Sequence, residues 1–367
     1  MRVPSIDLLR GLVMVLMVID HAREYSAGPG RVADPMDLSQ TSPLLFTLRW
    51  ISHFCAPVFA LLMGVSAGFK PDRRRLFTRG LWLILLEFTL IDWAWTFNPL
   101  WPRKFWQVIA ALGASNVILS LLLPLGRPAL LAIGLAIVGL HNLLDPISLP
   151  TNYLWALLHQ KVVLPLPFGF EFRTTYPVLP IAGVVLCGFG IAPWFQRADA
   201  ARRLAATGLS ATALFLLLRT TNLYGDSSPF TGTLASLGNV TKYPLSLQFI
   251  CMTLGPALLF LAATHNRRAP QFLVTLGRNP LPFYIGHLYL LHALALLWAF
   301  GQGHGPAPLS VRFGGIPEAF GFPLWQTIPF ALFATVLLYT GITHAPAPVA
   351  SLLHLSPPPR PNPAKTA

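Results

Sequence analysis

Apolar residues run through this chain in blocks of about twenty, separated by short polar stretches, and that block length matches a helix crossing a bilayer. The blocks fall near 5–23, 47–69, 80–97, 105–125, 128–143, 177–196, 204–218, 244–265, 281–300 and 326–345. They predict an all-α fold, a polytopic integral membrane helix bundle of about ten transmembrane helices with the N-terminus cytoplasmic. The fifth and seventh blocks are the shortest. No 20–50-residue repeat and no linker divides the pattern, so residues 1–345 read as one membrane domain. From Ala345 onward the chain is rich in proline (Pro346, Pro348, Pro357, Pro358, Pro359, Pro361 and Pro363) and has little to bury. Residues 346–367 are therefore expected to form a disordered cytoplasmic tail.

Composition agrees with the pattern. The 367 residues are 54% hydrophobic and only 11% charged, with a mean hydropathy of +0.59, against about 25% charged residues in soluble domains. The net charge of +13 would suggest nucleic acid in a soluble protein. Here it sorts by loop instead. With the N-terminus inside, fifteen of the 26 Lys and Arg residues lie on inner segments: Arg2, Lys70, Arg73, Arg74, Arg75, Arg79, Arg127, Arg197, Arg202, Arg203, Arg267, Arg268, Arg278, Arg360 and Lys365. Nine lie on outer loops (Arg23, Arg31, Arg103, Lys104, Lys161, Arg173, Arg219, Lys242 and Arg312), which leaves Arg10 and Arg49 within spans. The expected partner is thus the lipid bilayer rather than nucleic acid. Cys55, Cys187 and Cys251 are an odd number without metal-type spacing, so neither a disulfide framework nor a metal site is expected. The first block ends in Asp20-His21 and has an acid before Arg10, unlike a cleaved signal, and is expected to remain as a span.

Candidate chemistry lies in the blocks that keep ionisable residues. The first carries Asp7, Arg10, Asp20 and His21. Such groups cost several kcal/mol in hydrocarbon, roughly, so the helix should face a polar cavity. Eleven residues separate Arg10 from His21, which returns both to within about 20° of one direction, about 16 Å apart along the axis. Asp20 is placed to orient the His21 imidazole if the helix end bends. In the second block Arg49 and His53 stand one turn apart, with Pro57 and Gly64 on the same stripe and small residues Ser66, Ala67 and Gly68 beyond. His287 and His292 fall in a late block, where His292 reads as a packing residue. Glu87 and Asp92 are suited to neutralising Arg10 or Arg49.

On the inner side Arg75, Arg79, Arg278 and Asn279 offer guanidinium forks, and a helix N-terminus, to a phosphorylated donor. The outer loops near 24–46, 144–176 and 219–243 offer Glu171, Arg173, Arg219, Tyr224, Asp226 and Lys242 to an acceptor. No phosphate-loop, nucleophile-elbow, zinc-protease or dinucleotide signature occurs. An intramembrane base with nearby cations suits acyl transfer. The competing reading is a secondary transporter that uses the same buried Arg, His and Asp residues as a proton or substrate site. A scaffold without turnover leaves those residues unexplained.

The chain resembles bacterial relatives of heparan-alpha-glucosaminide N-acetyltransferase, within the wider transmembrane acyltransferase group. The resemblance rests on Ser5-Ile-Asp-Leu-Leu-Arg-Gly with Asp20-His21, on Arg49-Trp-Ile-Ser-His53-Phe-Cys-Ala-Pro57 with Met63-Gly64, and on Arg79-Gly80 leading to Glu87. Tyr224-Gly-Asp226, Thr241-Lys-Tyr-Pro244, Thr253-Leu-Gly-Pro256 and Leu276-Gly-Arg-Asn-Pro280 with Tyr284 and His287 extend it. It implies an enzyme that takes acetyl from cytosolic acetyl-CoA, as co-substrate and without a metal, and passes it to a sugar amine or hydroxyl of a glycan on the extracytoplasmic side. A bacterial plasma membrane is the implied location, and a homo-oligomer is compatible with it. The implied roles are catalytic for His21, His53 and Asp20, donor binding for Arg10, Arg75, Arg79, Arg278 and Asn279, and acceptor binding for Arg49, His287 and the outer-loop residues. The loop after the first span, which holds the active histidine of the lysosomal enzyme, contains no histidine here, so that residue has no counterpart.

Overall fold

Helix ends in this protein coincide with the residues that can satisfy them. Pro43 begins a helix because it has no N–H to leave unpaired, and the Ser42 hydroxyl accepts from Leu45 N at 3.2 Å. Asp72 and Ser246 cap two other helices in the same way, accepting from Arg75 N at 2.9 Å and Phe249 N at 3.0 Å. The computed structural model describes residues 3–26, 34–98, 102–303, 321–352 and 355. Arg2, Arg31, Arg312, Arg360 and Lys365, together with most of the expected tail, lie outside the described residues.

In chain order the helices are α1 (Pro4–Ser26), α2 (Pro43–Phe69), α3 (73–96), α4 (Val108–Leu125), α5 (Arg127–Leu144), α6 (Tyr153–Leu158), α7 (Val178–Gln196), α8 (Ala200–Thr221), α9 (Leu234–Gly238), α10 (Leu247–Thr264), α11 (Gln271–Arg278), α12 (Pro280–Gly301), α13 (Leu324–Thr343) and α14 (Ala347–Leu352). Among the described residues eight are long and apolar enough to cross a membrane: α2, α4, α5, α7, α8, α10, α12 and α13. The chain is an all-α, multi-pass integral membrane protein. The other two expected spans also form helices, α1 and α3, but their ionisable residues set them apart from the eight by composition. The helix α14 occupies the start of the stretch expected to be a tail.

A small sheet was not expected. Strands β1 (Arg103–Trp106), β2 (Val163–Pro165) and β3 (Glu171–Thr174) align in the order β1-β3-β2, with β1 parallel and β2 antiparallel to β3. The helix expected from 105 therefore starts at Val108.

Close crossings of helices set the position of α1. A Cβ on Gly277 would sit on the Asp7 carbonyl oxygen, and one on Gly11 would sit on that of Leu273, so α1 and α11 meet backbone to backbone. Gly64 likewise lets α2 lie against the Val185 carbonyl of α7. Within α3, a π-turn at Glu87–Ile91 brings the Glu87 carboxylate to accept from Ala110 N at 2.9 Å.

Candidate functional site

Between α1, α2, α3, α4 and α12 lies a cavity of about 520 Å³. One end is lined by Arg10, Ser66, Arg75, Arg79 and Arg278, and the other by Glu24, Arg49, Gln107, Tyr176, Lys242 and Tyr243. His21, Met17, Cys55, Phe59, Trp95 and Tyr284 line it as well. Arg10 and His21 thus share the cavity face of α1, as eleven helical steps require. A recess of about 300 Å³ at the arginine end shares Met63, Ser66, Arg75 and Arg79 with the cavity.

His21 is set by a second histidine. His21 Nδ1 lies 2.7 Å from His287 Nε2, and His287 Nδ1 lies 3.1 Å from the Phe283 carbonyl oxygen. A carbonyl only accepts, so neutral His287 carries its proton on Nδ1 and presents a lone pair on Nε2. His21 then donates from Nδ1, which puts its own lone pair on Nε2. Trp95 stands edge-on to the His21 ring at 5.0 Å, and His287 is fully buried. The pair presents one oriented imidazole base to the cavity.

Asp20 serves a different purpose from the one its position beside His21 implied. Its Oδ2 accepts from Arg49 Nη1 at 2.5 Å and from Ser52 Oγ at 2.9 Å, while Oδ1 accepts from Arg23 Nη2 at 3.1 Å. This carboxylate is spent on two guanidiniums, which is how a buried acid remains charged. Arg49 Nη2 donates onward to the Tyr243 hydroxyl at 3.1 Å, and Tyr243 lies 3.4 Å from the Tyr176 hydroxyl. Burial alone would raise the Tyr243 phenol, but the cations of Lys242 and then Arg49 outweigh it and bring the value down to about 8. Burial, then the Tyr243 phenol, pushes Tyr176 well above the ordinary tyrosine value.

At the opposite end Arg10 is a clamp. Nη1 donates to Asp7 Oδ1 at 3.0 Å and to the Gly277 carbonyl at 2.9 Å, and Nη2 donates to Ser66 Oγ at 3.1 Å. Arg278 Nε lies 4.0 Å from the other Asp7 oxygen. Asp7 and Asp20, both on α1, therefore balance Arg10 and Arg49, the role the sequence pattern offered to Glu87 and Asp92. Those two acids are engaged elsewhere, Glu87 with Ala110 N and Asp92 with Lys104 Nζ at 3.1 Å. Arg75 and Arg79, one turn apart on α3, are exposed, and among the described residues neither side chain pairs with an acid.

Several expected site residues stand away from the cavity. His53 is fully buried: its Nδ1 donates to the Arg49 carbonyl at 2.9 Å and its ring lies 5.0 Å from that of Phe249. The 3-10 turn at Ser52–Phe54 gives the cavity side to Ser52 and turns His53 toward α10. Asn279 is buried at the α11–α12 junction, donating to the Thr275 carbonyl at 2.9 Å. Glu171 pairs with Arg103 at 2.5 Å, and Arg173 sits on β3 beside Val163 of β2.

Arg219 is fully buried and donates to the carbonyls of Ser228, Ser236 and Asn239, so it braces the 222–243 loop from inside. Asp226 accepts from Ser228 N at 2.7 Å, Thr241 N at 2.8 Å and Ser246 Oγ at 2.5 Å, and Tyr224 donates to the Gly139 carbonyl at 2.9 Å. These three hold the loop that delivers Lys242 and Tyr243. Tyr243, Gln107 and Trp95 line the cavity without a role expected from the sequence; Tyr243 follows Lys242 directly in the Thr241–Pro244 segment, which was its available signal.

The family model described as "Heparan-alpha-glucosaminide N-acetyltransferase, catalytic" matches residues 2–227. That match covers most of the cavity lining, including α1, α2, α3 and Tyr176. No curated protein matches the chain. With a multi-pass helical fold and a cavity lined by both an oriented histidine and arginines, the chain belongs to the heparan-alpha-glucosaminide N-acetyltransferase catalytic family, whose function is of the membrane acyltransferase type.

Proposed function

We propose that this protein takes the acetyl group of cytosolic acetyl-CoA and transfers it to an amine or hydroxyl of a sugar on the extracytoplasmic side, in the plasma membrane of a bacterium. The observation that carries the reading is the cavity, whose lining holds His21, backed by His287, together with Arg75 and Arg79, which pair with no acid among the described residues. Family membership supports the donor, since the family is named for acetyl transfer.

In this reading Arg75 and Arg79 grip the phosphates of the donor, because planar guanidiniums bind phosphate through paired hydrogen bonds. Arg278 adds charge there. Arg10, committed to Asp7, Gly277 and Ser66, keeps α1, α2 and α11 in register and so holds His21 at its depth. His21 Nε2 removes the proton of the acceptor as its nitrogen or oxygen attacks the thioester carbonyl. The carbon–sulfur bond then breaks, and the imidazolium returns its proton to the departing thiolate. Lys242, Tyr243, Glu24 and Gln107 line the end where sugar hydroxyls enter.

The test uses purified protein in sealed vesicles with radiolabelled acetyl-CoA outside and glucosamine inside. Label on the trapped sugar, abolished by His21→Ala, supports the proposal. Label retained on the protein when the sugar is left out identifies a transient acetyl-histidine. Sugar flux without acetylation would overturn the reading in favour of transport.

A further inference from the structure

Three ionisable side chains converge away from the cavity. His141 lies in the 3-10 turn that ends α5, Asp145 follows it, and His159 caps the C-terminus of α6. Their ligand atoms all lie within 4.8 Å of one another. His159 Nε2 is 2.9 Å from Asp145 Oδ1, and Asn142 Nδ2 holds the other carboxylate oxygen at 2.8 Å. His141 is 2% exposed and His159 4% exposed, yet among the described residues both ring nitrogens of His141 and Nδ1 of His159 are without a hydrogen-bond partner. Buried polar atoms are seldom left unsatisfied, and such orphans need an explanation.

We propose that His141, Asp145 and His159 form a binding site for a divalent transition ion of the zinc type. Two imidazoles and a carboxylate are a borderline donor set that suits zinc rather than calcium or magnesium, which prefer all-oxygen cages. Zinc binds such donors at about 2.0–2.2 Å, which sets tetrahedral ligands roughly 3.3 Å apart. The His159–Asp145 pair stands at 2.9 Å, and the ion would draw the widest pair in from no more than 4.8 Å. Asn142 supplies the outer hydrogen bond that orients a ligating carboxylate, and its Oδ1 accepts from Leu247 N at 2.9 Å, tying the site to the start of α10. Asp145 is partly exposed, so the fourth position faces water.

The site would clip the outer loop shut. Directly after His159, the Gln160 carbonyl accepts from Thr174 Oγ1 at 2.7 Å, and the Thr174 hydroxyl in turn accepts from Val162 N at 3.0 Å. Thr174 precedes Thr175 and Tyr176, which line the cavity. Without cysteines, and with ligands four and eighteen residues from the first, nothing in the sequence marks this as a metal motif.

The experiment adds Zn²⁺ and, separately, Co²⁺ to metal-stripped full-length protein in detergent. One equivalent of zinc per chain and the intense visible bands of tetrahedral cobalt are expected. His141→Gln, Asp145→Asn and His159→Gln should each weaken binding at least tenfold while eluting as the wild type does on gel filtration. Absence of stoichiometric zinc, or binding unchanged in the His141→Gln/His159→Gln double variant, overturns the site. Should the variants fail to fold, the wild type alone decides: zinc must slow tryptic cleavage after Lys161, and unchanged cleavage refutes the proposal.

Discussion

His21 on α1 and His287 on α12, 266 residues apart in the chain, share one proton-bearing contact of 2.7 Å, and the Phe283 carbonyl behind His287 decides which nitrogen of His21 faces the cavity as a base. A base held in one tautomer needs no reorientation before it acts. His21→Ala is expected to lower the acyl-transfer rate about 10²–10⁴-fold, the usual range for a lost general base. His287→Ala should lower kcat with little change in KM for the donor, because it frees the tautomer without touching the phosphate grip. Gln at 287 can still accept from His21 Nδ1, so it should recover part of the rate. Steady-state kinetics of the three variants check this; equal rates for His287→Ala and the wild type would dismiss the relay.

Arg75 and Arg79 are exposed cations on one face of α3 at the mouth of the cavity. Replacing either with Gln is expected to weaken coenzyme A binding about tenfold, the scale of one charge-assisted hydrogen bond, and to reduce its salt dependence. Titration calorimetry with coenzyme A at two ionic strengths measures both. Arg127→Gln, a guanidinium stacked 4.8 Å from the Phe189 ring and donating to the Gly68 carbonyl, serves as the control that should leave affinity unchanged.

Gly277 has no room for a side chain, since a Cβ there would meet the Asp7 carbonyl oxygen. Gly277→Ala should destabilise the protein by about 1–3 kcal/mol or more through overpacking. It should also lower activity beyond what stability explains, because the residue's own carbonyl accepts from Arg10. A thermal unfolding series in detergent, paired with transfer rates at a temperature where the variant is folded, separates the two effects.

Tyr243 should ionise near pH 8, burial being outweighed by Lys242 and Arg49. Its value is depressed relative to an unfolded tyrosine near about 10, so the folded state sheds this proton first. Its contribution to stability therefore grows as pH rises from about 8 to about 10. Ultraviolet difference titration should show one tyrosinate forming in that window, absent in Tyr243→Phe and displaced to higher pH in Lys242→Met. An unmoved titration in the lysine variant would count against the electrostatic cause.

The arginine–histidine face of α1 was legible because 3.6-residue periodicity is a local property: eleven positions apart means the same direction wherever the helix packs. That Arg10, Arg75, Arg79 and Arg278 gather at one end of the cavity follows from the packing of α1, α3 and α11. The same periodicity set His53 on one stripe with Arg49 by assuming an unbroken α-helix, whereas a 3-10 turn at Ser52–Phe54 carries its ring toward Phe249. It also assigned Arg219, Tyr224 and Asp226 to an acceptor, because residue type alone does not distinguish a polar side chain that binds a ligand from one that satisfies its own loop. In the structure Arg219 donates to loop carbonyls, Asp226 accepts from Ser228 N, Thr241 N and Ser246 Oγ, and Tyr224 donates to the Gly139 carbonyl of α5.

Amino-acid order by itself determined that this is a membrane-spanning helical protein, roughly where its helices run, and which side chains of α1 share a face, since hydrophobic block length and helical pitch are set by neighbours in the chain. Only the tertiary structure decided that Asp7 and Asp20, rather than Glu87 and Asp92, balance the buried arginines, that His287 orients His21, and that His141, Asp145 and His159 converge. Each of these depends on which helices cross at close range, and such crossings follow from backbone contacts like that of Gly277 with Asp7, between segments far apart in sequence.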